Sequence, residues 1–552
     1  MRIKTVSALE KCFPDETVVS KPELNQASML KNERYSFQII YDETELIDDK
    51  KPIYLRVDSP IASALSFRRV EAIPSLFPVL KKRHDSDYLR TAPGLYPDLL
   101  VPLRENEKLY LVTDLLRSVW VDIEFTTPPD AGTYPIHYSF VDGADNLIAE
   151  GRFDIEVIDA ELPAQDIAVT QWFYCDCLQV YYRTKAFDEE HWRIIENFMK
   201  TAVKNGINTI LTPVFTPPLD TAVGSERPTT QLVGVTRNSG RYSFDFTLLN
   251  RWIDLCDKVG IQYLEISHFY TQWGAEHAPK VMATVDGEYK RLFGWETDAL
   301  GEEYRTFLRT FIPELRAFLK TKNADNRCFY HISDEPNEKH LEQYKACREQ
   351  ISDLLEDCII MDALSTYAFY EQGIVTHPIP SNNHIEPFLE HKVPDLWTYY
   401  CVSQAVNVSN RFFAMPSARN RIIGTQFYKY DIKGFLQWGY NFYFNQFSIA
   451  PINPFLCSDG EFFAPSGDTY SVYPAPDGTA WESLRIVVFA QALQDLRAMK
   501  LCEKLYGRAH VMALMEEGIE PITFQSYPRD AAWLLHFRER LNREIQKATK
   551  EK

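Results

Sequence analysis

The sequence has no apolar run approaching the roughly 18–20 residues of a membrane-spanning helix. Its opening stretch, MRIKTVSALEKCFPDETV, lacks the apolar core of a secretory signal. A cytoplasmic protein without a membrane partner is the expectation. Cations are in deficit: 59 Lys and Arg stand against 77 Asp and Glu, a net charge of −18. That balance argues against nucleic acid, which needs clustered cations, and favours an uncharged substrate. Ten cysteines are scattered, and the only close pair, Cys175 and Cys177, has neither zinc-knuckle nor thioredoxin spacing. Reduced, buried thiols follow. Histidines and cysteines show no two-ligand helical spacing, and Asn383-His384 stands alone, so no metal is expected. G-x-S-x-G is absent, which disfavours a serine hydrolase. There is no internal repeat and no low-complexity tract, and no cofactor is called for.

What is present is length and aromatic rings. A chain of 552 residues predicts two or three domains. Aromatics make up 13% of it, and rings stack on sugar faces as well as in cores. Residues 1–160 read as a β-sandwich, with short β-branched and aromatic runs such as RYSFQIIY, SVWVDIEF and GRFDIEVI separated by turn residues. After a linker the rhythm changes over residues 166–480. Strand-like runs IAVTQWFY, INTILTPVF, IQYLEISHF, CFYHIS, CIIMDAL and DLWTYYC alternate with helical stretches, and RIIGTQFY and GFLQWGYNFYF close the series. Asp188 and Gly206 bound one of these helices, and Pro313 is placed to kink another. This pattern predicts a (β/α)8 barrel. A doubly wound sheet is the alternative, weakened by the lack of a glycine-rich loop after the first strand. The long insertion starting TPPLDTAVGSERPTTQLVGV lies where barrels shape their pockets. Residues 481–552 form a helical segment packing on the barrel, opened by the long amphipathic ESLRIVVFAQALQDLRAMKLCEKLYG.

The fourth strand candidate runs into Asp334-Glu335-Pro336. Barrel enzymes carry their chemistry at the C-terminal ends of the strands. Two carboxyls brought together there divide roles, because burial and repulsion separate their pKa values. Adjacent residues fit poorly the opposed nucleophile and acid of ordinary retaining glycosidases. They fit substrate assistance better, in which the sugar's acetamido oxygen attacks its own anomeric carbon. A solvated turn or the acidic first turn of a helix is the plain alternative.

Taken in order, NERYSFQIIY, APGLYPDLLVPL, PPDAGTY, HISDEP, LWTYYC, GFLQWGYNFY and GDTYSVYP followed by ESLR make the chain resemble glycoside hydrolase family 123 and its uncharacterised relatives, domain-of-unknown-function group 4091, over nearly its whole length. The resemblance implies a sandwich followed by a barrel, and β-N-acetylgalactosaminidase activity by substrate assistance. It places the catalytic pair on Asp334, orienting the acetamido group, and Glu335, acting as general acid and then base. The insertion after the second barrel strand departs from it and leaves the leaving-group preference open.

Other residues are candidates for substrate binding. One of Tyr399 and Tyr400 faces the pocket and can donate to the acetamido oxygen; the other is core. Trp438 can floor the sugar ring, with simple packing as the equal alternative. Asn441 can bind a hydroxyl or serve as a strand-end amide. Trp172 and Tyr174 can reach the pocket or fill the barrel. His268 and His331 can tune the acids, His331 as a partner of Asp334, or be structural. Trp273 and Trp295 can form a lid or pack their loop. Glu226 and Arg227 read as a loop ion pair. The resulting expectation is a retaining exo-glycosidase that releases a terminal β-linked N-acetylhexosamine, GalNAc favoured, through an oxazoline. A glycosidase with a conventional carboxylate nucleophile and a non-catalytic glycan-binding protein are the rivals. A glycan or small glycoside is the expected partner, and homo-oligomerisation is open.

Overall fold

A computed structural model describes residues 1–47 and 49–550. Two five-stranded sheets form the N-terminal part. One orders Arg2–Ser7, Arg34–Asp42, Arg117–Glu124, Leu65–Ser75 and Gly94–Pro102, all antiparallel. The other orders Gln26–Leu30, Leu147–Ile158, Gly132–Val141, Lys51–Asp58 and Leu109–Leu111, with one parallel pair. Alternation sends Phe37, Ile39, Val119 and Val121 of the first sheet against Phe140, Phe153 and Ile155 of the second. Phe37 stacks on Phe153 at 4.0 Å between centroids.

Eight parallel strands follow in chain order: Ala168–Gln171, Thr209–Thr212, Tyr263–Ile266, Cys328–Tyr330, Ile359–Ala363, His377–Ile379, Trp397–Tyr399 and Gly434–Gln437. They are called barrel strands 1 to 8. Each pairs with the next, and strand 8 pairs back onto strand 1. Strands 6 and 7 meet through a single bridge, Ser381 to Tyr399. The result is a nearly closed barrel. Its outer helices are uneven: Glu302–Thr321 has 20 residues, whereas Ala368–Glu371 after strand 5 has 4. Asp188 caps its helix by accepting from the His191 N–H at 2.8 Å. Among the described residues no helix is long and apolar enough to cross a membrane.

Two expectations need correction. RIIGTQFY is helical, within Ser417–Arg421 and Ile423–Tyr430, because Ile423 and Phe427 repeat every fourth residue on a buried face. The helix Leu484–Tyr506 is not amphipathic over its first half. Leu484 to Leu493 are all buried, because the helices Ser417–Arg421, Ile423–Tyr430 and Ala531–Lys550 and the sandwich strand Gly94–Pro102 pack around it. The Gln494 side chain joins this helix to the sandwich, accepting from the Arg34 N–H and donating to the Arg34 carbonyl, each at 2.9 Å.

The insertion after strand 2 and the segment after strand 3 each form a hairpin. Together these make a four-stranded sheet (Arg241–Asp245, Gly234–Asn238, Val281–Val285, Glu288–Phe293) beside the barrel mouth.

Candidate active site

Strand 4 ends at Tyr330, and three further residues carry the chain to the acid pair. The turn is held from strand 5. The buried Asp362 carboxylate accepts from the N–H of Ile332, at 3.2 and 3.1 Å, which the ended ladder leaves unpaired. The Trp273 N–H donates to the Asp334 carbonyl at 3.0 Å, and the Glu335 N–H donates to the Ala363 carbonyl at 3.2 Å. Glu335 sits at φ +46°, in the left-handed region that costs a non-glycine residue roughly 1–3 kcal/mol. Bonds from strands 3 and 5 on either side hold it there.

Asp334 and Glu335 both line a cavity of about 350 Å³ at the C-terminal ends of the strands. Trp172, Tyr174, Tyr399, Trp438 and Trp273 line it too. The Tyr399 hydroxyl donates to Glu335 Oε1 at 2.8 Å, so its hydrogen bond goes to the acid pair itself. Two indoles are pinned by carboxylates: Trp172 Nε1 donates to Glu265 at 2.7 Å and Trp438 Nε1 to Asp468 at 2.9 Å. Their faces are therefore set before any ligand arrives. Gly439 permits this at strand 8, since a Cβ there would lie 2.3 Å from the Thr469 carbonyl oxygen.

Four expected contacts lie outside the cavity lining. Tyr400, on the opposite face of its strand from Tyr399, donates to Asn420 at 3.2 Å. Asn441 is consumed by the backbone of Tyr174, accepting from its N–H at 2.9 Å and donating to its carbonyl at 3.1 Å. His331 lies beneath the pair and bonds not to Asp334 but to Glu265 at 2.8 Å and Asp362 at 3.0 Å. Those two carboxylates raise its pKa to about 10 against burial, so it is an imidazolium at neutral pH. His268 stacks on His331 at 4.4 Å, and neither of its ring nitrogens has a hydrogen-bond partner among the described residues. Burial and the neighbouring cation hold its pKa well below that of ordinary imidazole. His268, His331 and Asp362 are close enough together to hold a metal ion. Both nitrogens of His331 are already engaged by carboxylates, however, which makes the cluster a hydrogen-bond network. Arg227 does not pair with Glu226. It forks onto Asp176 at 2.7 and 2.9 Å, while Glu226 bonds Lys280 at 2.7 Å and Arg291. Trp295 packs its loop, donating to the Ser225 carbonyl at 3.0 Å.

Burial pushes the pKa of both acids up, Asp334 the further. Glu335 repels Asp334, and only Glu335 has a donor, Tyr399, to favour its charged form. The imidazolium of His331 works the other way on Asp334. With both acids raised, the pair holds a proton between them above the ordinary carboxyl range. A ligand N–H donated to Asp334 would favour its ionisation and leave the proton on Glu335. The raised pKa values also have a stability consequence. The charged forms are penalised in the fold, a cost absent below the ordinary carboxyl range and growing as pH rises through the raised values. Asp334→Asn should therefore raise the melting temperature at pH 8 by roughly 1–3 °C, with the gain shrinking toward pH 4. Thermal denaturation across pH measures this, and a gain independent of pH would contradict it.

Several cavity residues have no signal in the sequence. Asp220 and Gln272 lie in loops between Pro, Thr and Gly residues that read only as insertion, and Phe447 follows the last strand by ten residues. A pocket-facing carboxyl among turn residues cannot be told from a solvated one without the fold around it.

Residues 172–502 match the family model for the catalytic domain of glycoside hydrolase 123. No curated protein matches the sequence. Among solved structures, a family 123 glycoside hydrolase from Clostridium perfringens, described for glycolipid glycan hydrolysis, aligns with a TM-score of 0.75 at 13% identity. The alignment covers 100% of this chain and 99% of that one, and at such identity it shows likeness of fold. A β-glucuronidase from Parabacteroides merdae aligns over 83% of this chain and 50% of its own at 11% identity, with a TM-score of 0.31 that is too low to carry an argument.

Proposed function

Because this chain belongs to glycoside hydrolase family 123, we propose that its hydrolase activity is the retaining release of a terminal β-linked N-acetylhexosamine through an oxazoline. The observation that carries this reading is that two consecutive carboxyls, both half-buried, line one aromatic cavity, and only one of them is already hydrogen-bonded. The Asp334 carboxyl makes no hydrogen bond among the described residues and is free to accept an amide N–H. That contact increases the negative character of the acetamido oxygen, which attacks the anomeric carbon. Glu335, holding the proton, donates it to the departing oxygen and later takes one from the water that opens the oxazoline. Tyr399, whose burial keeps it protonated, holds Glu335 in position. Trp438 and Trp172, with indoles fixed by Asp468 and Glu265, are the platforms for the sugar. In this reading the nearly closed barrel is a (β/α)8 variant spanning residues 166–480, between a sandwich at 1–160 and the helical segment 481–552.

GalNAc is the favoured sugar on the family resemblance. A conventional nucleophile is the second reading, and Asp220 is the other carboxyl lining the cavity among the described residues. A thiazoline that mimics the oxazoline separates the two. Micromolar or tighter competitive inhibition is expected under substrate assistance, and none with a carboxylate nucleophile. Nitrophenyl β-GalNAc and β-GlcNAc, assayed alongside, identify the sugar.

A further inference from the structure

Asp220 has no part in the proposed chemistry, yet the cavity rim is built around it. It lies in the insertion after strand 2 and is 8% exposed. Its N–H donates to Gln272 Oε1 at 2.6 Å, from the loop after strand 3. Its carbonyl accepts from the Ser448 hydroxyl at 2.6 Å and its Oδ2 from the Phe447 N–H at 2.9 Å, both after strand 8. Three loops thus converge on one residue. Backbone strain gathers at the same place: φ is +40° at Asp220, +60° at Trp273, +61° at Phe447 and +55° at Ser448. Such strain persists where surrounding contacts enforce it, and it concentrates at ligand sites.

The carboxylate is only half used. Oδ1 makes no hydrogen bond among the described residues, and the nearby cation, Arg227, is committed to Asp176. Beside it stand Gln272 and Trp273, whose indole is 41% exposed and meets Phe447 edge-on at 5.8 Å. An acceptor, an amide and an open aromatic face are what a pyranose presents its hydroxyls and C–H face to. These groups stand on the loops after strands 2 and 3, whereas the acid pair lies in the turn that ends strand 4.

We propose that Asp220, with Gln272 and Trp273, binds the leaving-group saccharide, Asp220 Oδ1 accepting one of its hydroxyls. The inference rests on the exo-glycosidase reading above and adds that the leaving group is itself a sugar. Burial raises Asp220 to about 6, so it is mostly ionised at pH 7 and a strong acceptor.

The test compares kcat/KM for a β-N-acetylhexosaminyl disaccharide with that for an aryl β-N-acetylhexosaminide, in wild type and in Asp220→Asn. The Asn oxygen still accepts from the Phe447 N–H, which keeps the loops in place and turns the NH2 group toward the sugar. The disaccharide-to-aryl ratio should fall about tenfold. Trp273→Ala, at a partly exposed position, should lower the same ratio and serves if Asp220→Asn folds poorly. Equal losses on both substrates would place Asp220 on the terminal sugar or in the chemistry, and no loss would leave it a loop fastener; either overturns the proposal. If wild type cleaves neither substrate, the exo-glycosidase reading fails. Calorimetry of disaccharide binding then decides the subsite alone, and equal affinity of wild type and Asp220→Asn overturns it.

Discussion

Glu335→Gln should lower kcat/KM about a thousandfold for a substrate with a sugar leaving group, and far less for a dinitrophenyl glycoside. A sugar alkoxide is a poor leaving group and needs its proton in the transition state, whereas dinitrophenolate leaves without one. Gln is isosteric and still accepts from Tyr399, so the cavity keeps its shape and what is lost is the transferable proton. Asp334→Asn should behave differently. Its role is to hold the acetamido N–H and increase the nucleophilicity of the carbonyl oxygen, a step needed whatever the leaving group. The loss should therefore be similar across leaving groups, in the range of about a hundred- to a thousandfold. The double variant should be little worse than the poorer single one, because the two residues serve one reaction sequence. Steady-state kinetics on a leaving-group series checks this. A Glu335→Gln loss that does not vary with leaving-group acidity would remove Glu335 from the role of acid.

Asp98→Ala should cost about 3–5 kcal/mol of stability. Asp98 lies on the sandwich strand Gly94–Pro102 and is fully buried. It accepts from Arg485 Nε at 2.8 Å, Arg485 Nη2 at 2.9 Å and the Tyr473 hydroxyl at 2.6 Å. Removing it strands a guanidinium that is 2% exposed at the junction of sandwich and barrel. The site would register the change as well. Arg485 also donates to the carbonyls of Gly467, at 2.7 Å, and Tyr470, at 2.6 Å. These flank Asp468, which holds the Trp438 indole. Denaturant unfolding should show the loss, and activity should decline below the melting temperature. Replacing both partners, as in Asp98→Asn with Arg485→Met, should cost less than the sum of the single changes, since the unpaired charge goes with them. A cost below about 1 kcal/mol for Asp98→Ala would show that the pair does not fasten the sandwich to the barrel.

Much of the site was legible because local chemistry signals it. An apolar run ending in Asp334-Glu335-Pro336 marks a strand whose end carries charge, and strand alternation required that Tyr399 and Tyr400 part company. Which of the two faces the acids was not legible, because that depends on how strands 6, 7 and 8 are set against one another. His331 acts on its sequence neighbour Asp334 only through its charge. Its partners, Glu265 and Asp362, come from strands 3 and 5, at separations of 66 and 31 residues. Asn441 looked like a hydroxyl binder because nothing nearby in sequence uses its amide, and Tyr174, which does, lies 267 residues away.

The sequence by itself determined a β-rich region followed by alternating strands and helices, and an acid pair at the end of one strand. These follow from periodicity and turn chemistry, which act over a few residues. Only the tertiary structure decided that the first half of the helix Leu484–Tyr506 is buried all round, that Asp220 meets Gln272 and Phe447 over the cavity, and that burial raises both acids of the pair. Each of these depends on burial and on groups brought together from distant segments, and both burial energy and electrostatic interaction are set by distance in space.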